Sequence, residues 1–263
     1  MSKTAIVTGG SSGIGLSACR ELAGAGWRVY ELSRHEREDC PAQHINCDVT
    51  DWSAINSAVE SVYNAEGRID ALICCAGFGV SGAVEFIPEE SARSQLDVNF
   101  FGMAGACHAV LPYMRRAHRG NIICISSVAA PVAIPFQAYY SASKAAISSL
   151  AQALRCEVRD FGIEVCAILP GDIATGFTAA RQKTVEGDGE YSGRISRSVA
   201  TMEKDERGGM PPESIGSVAA RLAEKRHLRP LYTVGTKYKF FVLLTHILPA
   251  RLISFIVRQI YAK

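Results

Sequence analysis

Short apolar runs alternate along most of the chain with longer stretches whose apolar positions recur at helical spacing. Residues 4–7, 27–32, 70–75, 121–126 and 163–169 read as strands, and another strand closes at Asn46-Cys47-Asp48-Val49. Between them, 16–25, 51–65, 88–117 (one long helix or two) and 137–159 carry the helical period. Residues 211–225 predict one more helix and 230–234 a last strand. The strand runs have almost no polar face. Strands apolar on both faces and separated by helices predict a parallel sheet covered on both sides. The expected fold is therefore α/β, a single doubly wound Rossmann-like domain with ligands outside the carboxyl ends of its strands.

Two segments depart from this rhythm. Residues 172–211 are polar, rich in Gly, Ser, Arg and Glu, and follow the sixth strand. A long segment at the carboxyl edge of such a sheet predicts a substrate lid. Residues 237–263 read as two short amphipathic helices broken at Pro249, with five Lys/Arg and no Asp/Glu. The expected organisation is one domain over 1–236, including the lid, followed by a basic amphipathic extension. Two roles stay open for that extension. It either packs on protein, as most amphipathic helices do, or makes a peripheral contact with anionic lipid.

Composition narrows the class only slightly. The whole chain carries a net charge of +2, which gives no reason to expect a nucleic-acid partner. Nine cysteines, an odd number without CxxC pairs, suit buried free thiols better than disulfides or a structural zinc, and no metal is expected. With a start that runs directly into a strand, they point to a reduced, cytoplasmic protein. No apolar stretch approaches the roughly 18–20 residues that span a bilayer; the best, 240–248, has nine.

The candidate chemistry lies at two places. Thr8-Gly9-Gly10-Ser11-Ser12-Gly13-Ile14-Gly15 joins the first strand to the first helix. Glycines there permit a tight turn and a close approach of phosphate to backbone, beside the open N–H groups of a helix start. No Walker lysine follows, which disfavours a nucleoside triphosphate. Further on, Tyr140 and Lys144 sit four apart in a helix, hence on one face. A fixed ammonium beside a phenol favours phenolate and should lower its pKa toward neutral, giving an acid/base usable near pH 7. Alone, such a pair could be an ordinary surface feature.

Together these motifs resemble the short-chain dehydrogenase/reductase family, in particular its hydroxysteroid and retinol dehydrogenase-like members, over roughly residues 3–175. The resemblance implies a catalytic set of Asn99, Ser127, Tyr140 and Lys144. Tyr140 would move the proton, Lys144 would hold the nicotinamide ribose, Ser127 would orient the substrate oxygen, and Asn99 would hold a water leading to Lys144. It implies cofactor contacts from Gly9, Ser11, Ser12, Gly13, Ile14 and Gly15, from Asp48 and Val49 beside the adenine, and from Ala76 and Gly77. Pro170, Gly171, Ile173 and Thr175 would lie over the nicotinamide. One departure is Cys74-Cys75-Ala76-Gly77, where the family usually has Asn-Asn-Ala-Gly. The thiols are expected to compensate by packing, and a reactive Cys75 is the sharper alternative.

The second strand ends at Ser33-Arg34, where NAD enzymes of this architecture place an acid. A guanidinium forks onto phosphate oxygens, so NADP is favoured over NAD. Pocket segments 78–87, 128–138 and 172–210 are mostly apolar. They predict a hydrophobic secondary alcohol or ketone, such as a steroid, retinoid-like lipid or bulky aliphatic carbonyl. The expected protein is an NADP(H)-dependent oxidoreductase, a homodimer or homotetramer by resemblance. A reductase of 3-oxoacyl thioesters and a non-catalytic dinucleotide sensor are the alternatives.

Overall fold

The computed structural model describes residues 2–263. β1 (Thr4–Thr8), buried along its whole length, leads through the glycine turn into α1 (Gly13–Gly24). β2 (Arg28–Ser33) and β3 (Gln43–Asn46) follow, then α2 (Trp52–Glu66) and β4 (Ala71–Cys74). Asp51 starts α2 by accepting from the Ser53 and Ala54 N–H groups at 2.8 and 3.1 Å, and Gly67, at φ 68°, ends it. Next come β5 (Val80–Ser81), α3 (Glu89–Leu96), α4 (Gly102–Ala117), β6 (Gly120–Ile125), α5 (Ala138–Val158) and β7 (Ile163–Leu169). The chain closes with α6 (Phe177–Ala180), β8 (Gln182–Lys183), α7 (Arg194–Arg207), α8 (Glu213–Ala223), β9 (Leu231–Thr233), α9 (Thr236–Ile247) and α10 (Ala250–Tyr261).

Seven strands form one parallel sheet in the order β3-β2-β1-β4-β6-β7-β9. Successive side chains on a strand point to opposite faces. On β4, Leu72 therefore enters a core with α2, α4 and α5, while Ile73 enters a second core with α1 and α8. Both are fully buried, which is why the strands lack a polar face. The strand order reverses between β1 and β4, so the crevice of the sheet opens at their carboxyl ends.

Local chemistry reshapes two predicted segments. Residues 88–117 form two helices joined by a π-helical turn, Asp97–Phe101, which carries the buried Asn99. Residues 172–211 contain their own core. α7 buries Ile195, Val199 and Met202, one face at helical spacing, against Phe136, Tyr191 and Tyr261. The short strand β8 pairs with β5, tying this segment to the loop after β4.

Candidate active site

Glycine chemistry shapes the floor of the crevice. A Cβ at Gly15 would fall 2.2 Å from the Gly9 carbonyl oxygen, and one at Gly9, whose φ is +68°, would fall 2.8 Å from Ala76 Cα. Only glycine lets the β1 turn press against residues 75–76 at this distance. Thr8 Oγ1 holds the other side by accepting from the Cys75 N–H at 3.2 Å. Ser12 stands at the N-cap of α1 in an extended conformation and makes no side-chain capping bond, so the first N–H groups face the crevice.

A cavity of about 390 Å³ runs from this cradle to the start of α5. Of the sequence-predicted residues, Gly9, Ser12, Gly13, Ile14, Gly15, Ala76 and Gly77 line it near the cradle. Ser127, Tyr140, Lys144, Pro170, Gly171 and Ile173 line it as well, and so does Thr175, which stands over Gly13. Ser11 stands beside the cradle in the turn itself. Ser33, Arg34, Asp48 and Val49 are not part of the cavity wall. They sit at and just beyond the ends of β2 and β3, where Asn46 Nδ2 donates to Arg34 O at 3.0 Å. Arg34 is exposed and carries positive charge toward Asp48. Thr50 holds the Asp48 carboxyl below its ordinary range, first through its N–H at 2.9 Å and then through its hydroxyl at 2.8 Å. Glu31, two residues before the end of β2, is buried: a ring nitrogen of His44 on β3 meets its carboxylate, which also accepts from the Ser33 hydroxyl at 3.3 Å and lies beside Gly10. Ser33 and Arg34, the residues at and just past the end of β2, carry no acid themselves.

The proton-handling residues are positioned by strand ends and by α5. Lys144 Nζ donates to Ile125 O at 2.9 Å, and its ammonium is 5.7 Å from the Tyr140 ring centroid. Ser126 ties α5 to β6 through Lys144 O at 2.8 Å and the Ser148 hydroxyl at 2.8 Å. Ser127 Oγ accepts from the Ala129 N–H at 3.0 Å. Asn99 lies behind the cavity rather than on its wall. Its Oδ1 accepts from Phe78 N–H at 2.9 Å, while Nδ2 donates to Phe78 O and Ser143 Oγ, both at 3.0 Å. Its amide therefore pins the loop after β4 to α5. Gly77 lies against this amide: a Cβ there would be 3.0 Å from Asn99 Oδ1 and 3.7 Å from Lys144 Nζ.

Burial, rather than the lysine, dominates the titration of this pair. The Tyr140 phenol is pushed up to about 12, chiefly by desolvation, with the Glu206 and Asp172 carboxylates adding and the Ser127 hydroxyl and Arg181 opposing. Lys144 is pushed down to about 8 by the same burial. An ammonium and a phenol can tune one another, but here both charged forms lose water first.

Sequence reasoning missed a polar cluster in the lid. Gln137, Phe177 and Glu206 line the same cavity as Tyr140. Glu206 pairs with the buried Arg181 and accepts from Thr178 Oγ1 at 2.7 Å. The Gln137 carbonyl oxygen accepts from Arg181 Nη2 at 3.1 Å. Phe177 stands between Arg181 and Tyr140, 5.5 Å from the guanidinium and 5.6 Å from the tyrosine ring. The wall is thus less apolar than the sequence suggested. The partners are separated by 25 or more residues, so no local pattern could reveal them.

The thiols pack, as the departure at residues 74–75 suggested. Cys74, Cys107 and Cys124 are buried, with their sulfurs within 4.8 Å of one another between β4, β6 and α4. Burial pushes Cys75 up to about 12 and so removes its thiolate. Cys156 is exposed, Cys40 is half-buried, and burial covers the rest except part of Cys75. Ellman titration of the native protein should show one fast thiol that Cys156→Ser removes. Rapid loss of a second thiol that only Cys75→Ser abolishes would contradict the burial argument.

Residues 3–186 match the family model described as short chain dehydrogenase, and the chain belongs to that family. It is an NAD(P)-dependent oxidoreductase acting on CH–OH groups. Among curated proteins, the chain is 40% identical over 225 residues to a 3-ketodihydrosphingosine reductase of Bacteroides thetaiotaomicron, covering 84% of each. It is 30% identical over 264 residues to an uncharacterized oxidoreductase of Bacillus subtilis, covering 94% of each. Among solved structures, a short-chain dehydrogenase from Streptomyces avermitilis superposes with a TM-score of 0.83 at 27% identity, over 94% of this chain and 92% of that one.

Proposed function

We propose that this protein is an NADP(H)-dependent reductase of a long-chain, lipid-like ketone, with 3-ketodihydrosphingosine as the first substrate to try. The observation that carries the reading is one cavity walled at one end by the glycine cradle and at the other by Ser127, Tyr140 and Phe177. The cradle fits a pyrophosphate, since the glycines draw the turn tight against residues 75–76 and the N–H groups at the start of α1 carry no side-chain cap. Gly13, Ile14 and Gly15 would hold it, and Pro170, Gly171, Ile173 and Thr175 would lie along the nicotinamide. A nicotinamide bound there supplies hydride to the carbonyl carbon. Ser127 orients the carbonyl oxygen, and Tyr140 donates the proton that completes the alcohol. Lys144 and the carbonyl of Ile125 fix the position of that proton donor from behind. The choice of ketone rests on the apolar neighbours Val128, Ala129, Ile134 and Ala180 and on the similarity to the 3-ketodihydrosphingosine reductase of Bacteroides thetaiotaomicron. Assembly as a homodimer or homotetramer belongs to the same reading and is checked by sedimentation equilibrium.

Cofactor choice follows from Arg34. A charge-assisted bond to a 2′-phosphate is worth about 1.5–3 kcal/mol. Arg34→Leu should therefore raise KM for NADPH roughly 10- to 100-fold and leave KM for NADH nearly unchanged. Equal effects on both coenzymes would move the 2′-phosphate contact elsewhere. The substrate reading is tested by following NADPH oxidation with ketones of increasing chain length. Rates per KM should climb with each added methylene until the cavity is filled. A preference for polar sugars or for short 3-oxoacyl thioesters would overturn it.

A further inference from the structure

The carboxyl-terminal helices leave an apolar face without a partner. On α9, Phe240, Leu243 and Ile247 are 60%, 53% and 66% exposed, at positions i, i+3 and i+7 of one face. On α10, Leu252, Phe255 and Ile260 are exposed in the same way. These large side chains sit on a hairpin turned at Leu248 and Pro249. Contiguous exposed apolar surface of this kind marks an interaction site.

Its surroundings are basic. A groove of about 1080 Å³ runs between α8, β9 and α9, and Leu243 belongs to both the groove and the exposed stripe. Arg221, Lys225, Arg229 and Lys239 line it, and among the described residues no carboxylate does. Lys225 and Arg229 flank the Tyr232 ring at 5.9 and 5.3 Å. Like charges therefore stand together, and none of these four side chains makes an ion pair among the described residues. The two helices add Lys237, Arg251 and Arg258, Lys263 follows α10, and from residue 237 onward the sequence has no acid.

We infer that α9, α10 and the basic groove form a docking surface for an anionic lipid bilayer. A second copy of the chain is a poor occupant. A two-fold contact would lay this basic face against itself, with no carboxylate to offset it. An anionic membrane supplies both complements at once: acyl chains for Phe240, Ile247 and Phe255, and headgroup phosphates for the groove. Among the described residues no helix is long and apolar enough to cross the membrane, so the contact is interfacial.

The same helices are fastened to the walls of the catalytic cavity. Tyr238 on α9 donates to Asp172 at 2.6 Å, and its ring covers Gly171, where a Cβ would be 2.1 Å away. Tyr261 on α10 packs among Ile195, Val199 and Met202 of the lid. A bilayer held by this hairpin would meet the protein beside the lid, where a lipid-like ketone would enter. This last step rests on the proposed substrate; the docking geometry does not.

Flotation of the full-length protein tests the docking apart from catalysis. Vesicles of phosphatidylcholine alone and of phosphatidylcholine with phosphatidylglycerol are the probes. The wild type should float with the anionic vesicles at low salt, and high salt should release it. Arg229→Gln with Lys239→Gln should weaken binding about fivefold per charge removed. Phe240→Ser with Ile247→Ser and Phe255→Ser should abolish flotation. Both variants should keep the wild-type melting temperature and turnover of a short soluble ketone, since none of these residues touches the cavity. Failure of the wild type to float on anionic vesicles, or equal flotation of wild type and serine variant, overturns the inference. So does a wild-type dimer that the serine variant splits into monomers, which would make the face a protein interface. Loss of activity on long-chain ketones with flotation intact would refute the substrate reading and leave docking standing.

Discussion

Replacing Tyr140 with Phe should lower kcat for ketone reduction by roughly 10²–10⁴-fold, the range expected when a positioned general acid is removed, while KM for the coenzyme changes little. The phenylalanine ring can keep the tilted contact with Phe177 at 5.6 Å and loses only the hydroxyl. Tyr139 is the internal control. It packs instead with the cluster of Val80, Ile87 and Ala92 beneath α3, so Tyr139→Phe should retain near wild-type turnover. Parallel loss in both variants would mean that the helix, and not the Tyr140 proton, is what the reaction needs. A Tyr140→Phe enzyme with wild-type turnover would remove Tyr140 from the chemistry.

Lys144→Met should show a split between activity and stability. Turnover should fall by at least about 10²-fold, because the residue that fixes the proton donor is gone. The cofactor-free protein should nevertheless melt higher than the wild type at pH 7. Lys144 is buried with a single backbone acceptor, and burial lowers its pKa from 10.5 to about 8. That interval corresponds to a penalty on the order of 3 kcal/mol for holding the charge. Leaving Ile125 O without its donor returns about 1 kcal/mol. The net gain, about 2 kcal/mol, would raise Tm by roughly 4–8 °C for a domain of this size. The folded state holds the Lys144 proton less tightly than the unfolded chain does. Wild-type stability from this group therefore rises as pH climbs from about 8 to 10.5 and is lost as pH falls through about 8. The advantage of the variant should be full below pH 8 and fade toward pH 10.5. A difference in Tm that is constant across that window would contradict the assignment of the penalty to the ammonium.

Periodicity made the sheet legible because β1, β2, β4, β6 and β7 are buried on both faces and the helices that cover them on one. β3 was placed only by its end: Gln43-His44-Ile45-Asn46 carries a single apolar residue, and its pairing comes from β2. The turn at 9–15 and the Tyr140–Lys144 spacing were readable because both are short-range geometry. What escaped was long-range. The buried face of α7 hides among charged neighbours, and Ile195, Val199 and Met202 become visible only when Phe136 and Tyr261 close over them. The Arg181–Glu206–Gln137 cluster needs the lid folded over α5 before its partners meet. The direction of the Tyr140 shift was misread for the same reason: spacing reveals a nearby ammonium, whereas desolvation depends on everything packed around it.

Transfer of a deuteride from NADPH carrying deuterium at both C4 positions to 3-ketodihydrosphingosine tests the central claim most directly. With the wild type, the alcohol formed should carry one deuterium at the former carbonyl carbon, and with Tyr140→Phe the labelled alcohol should all but disappear while NADPH still binds. Coenzyme oxidation without a labelled alcohol, or equal labelling by both proteins, would contradict it.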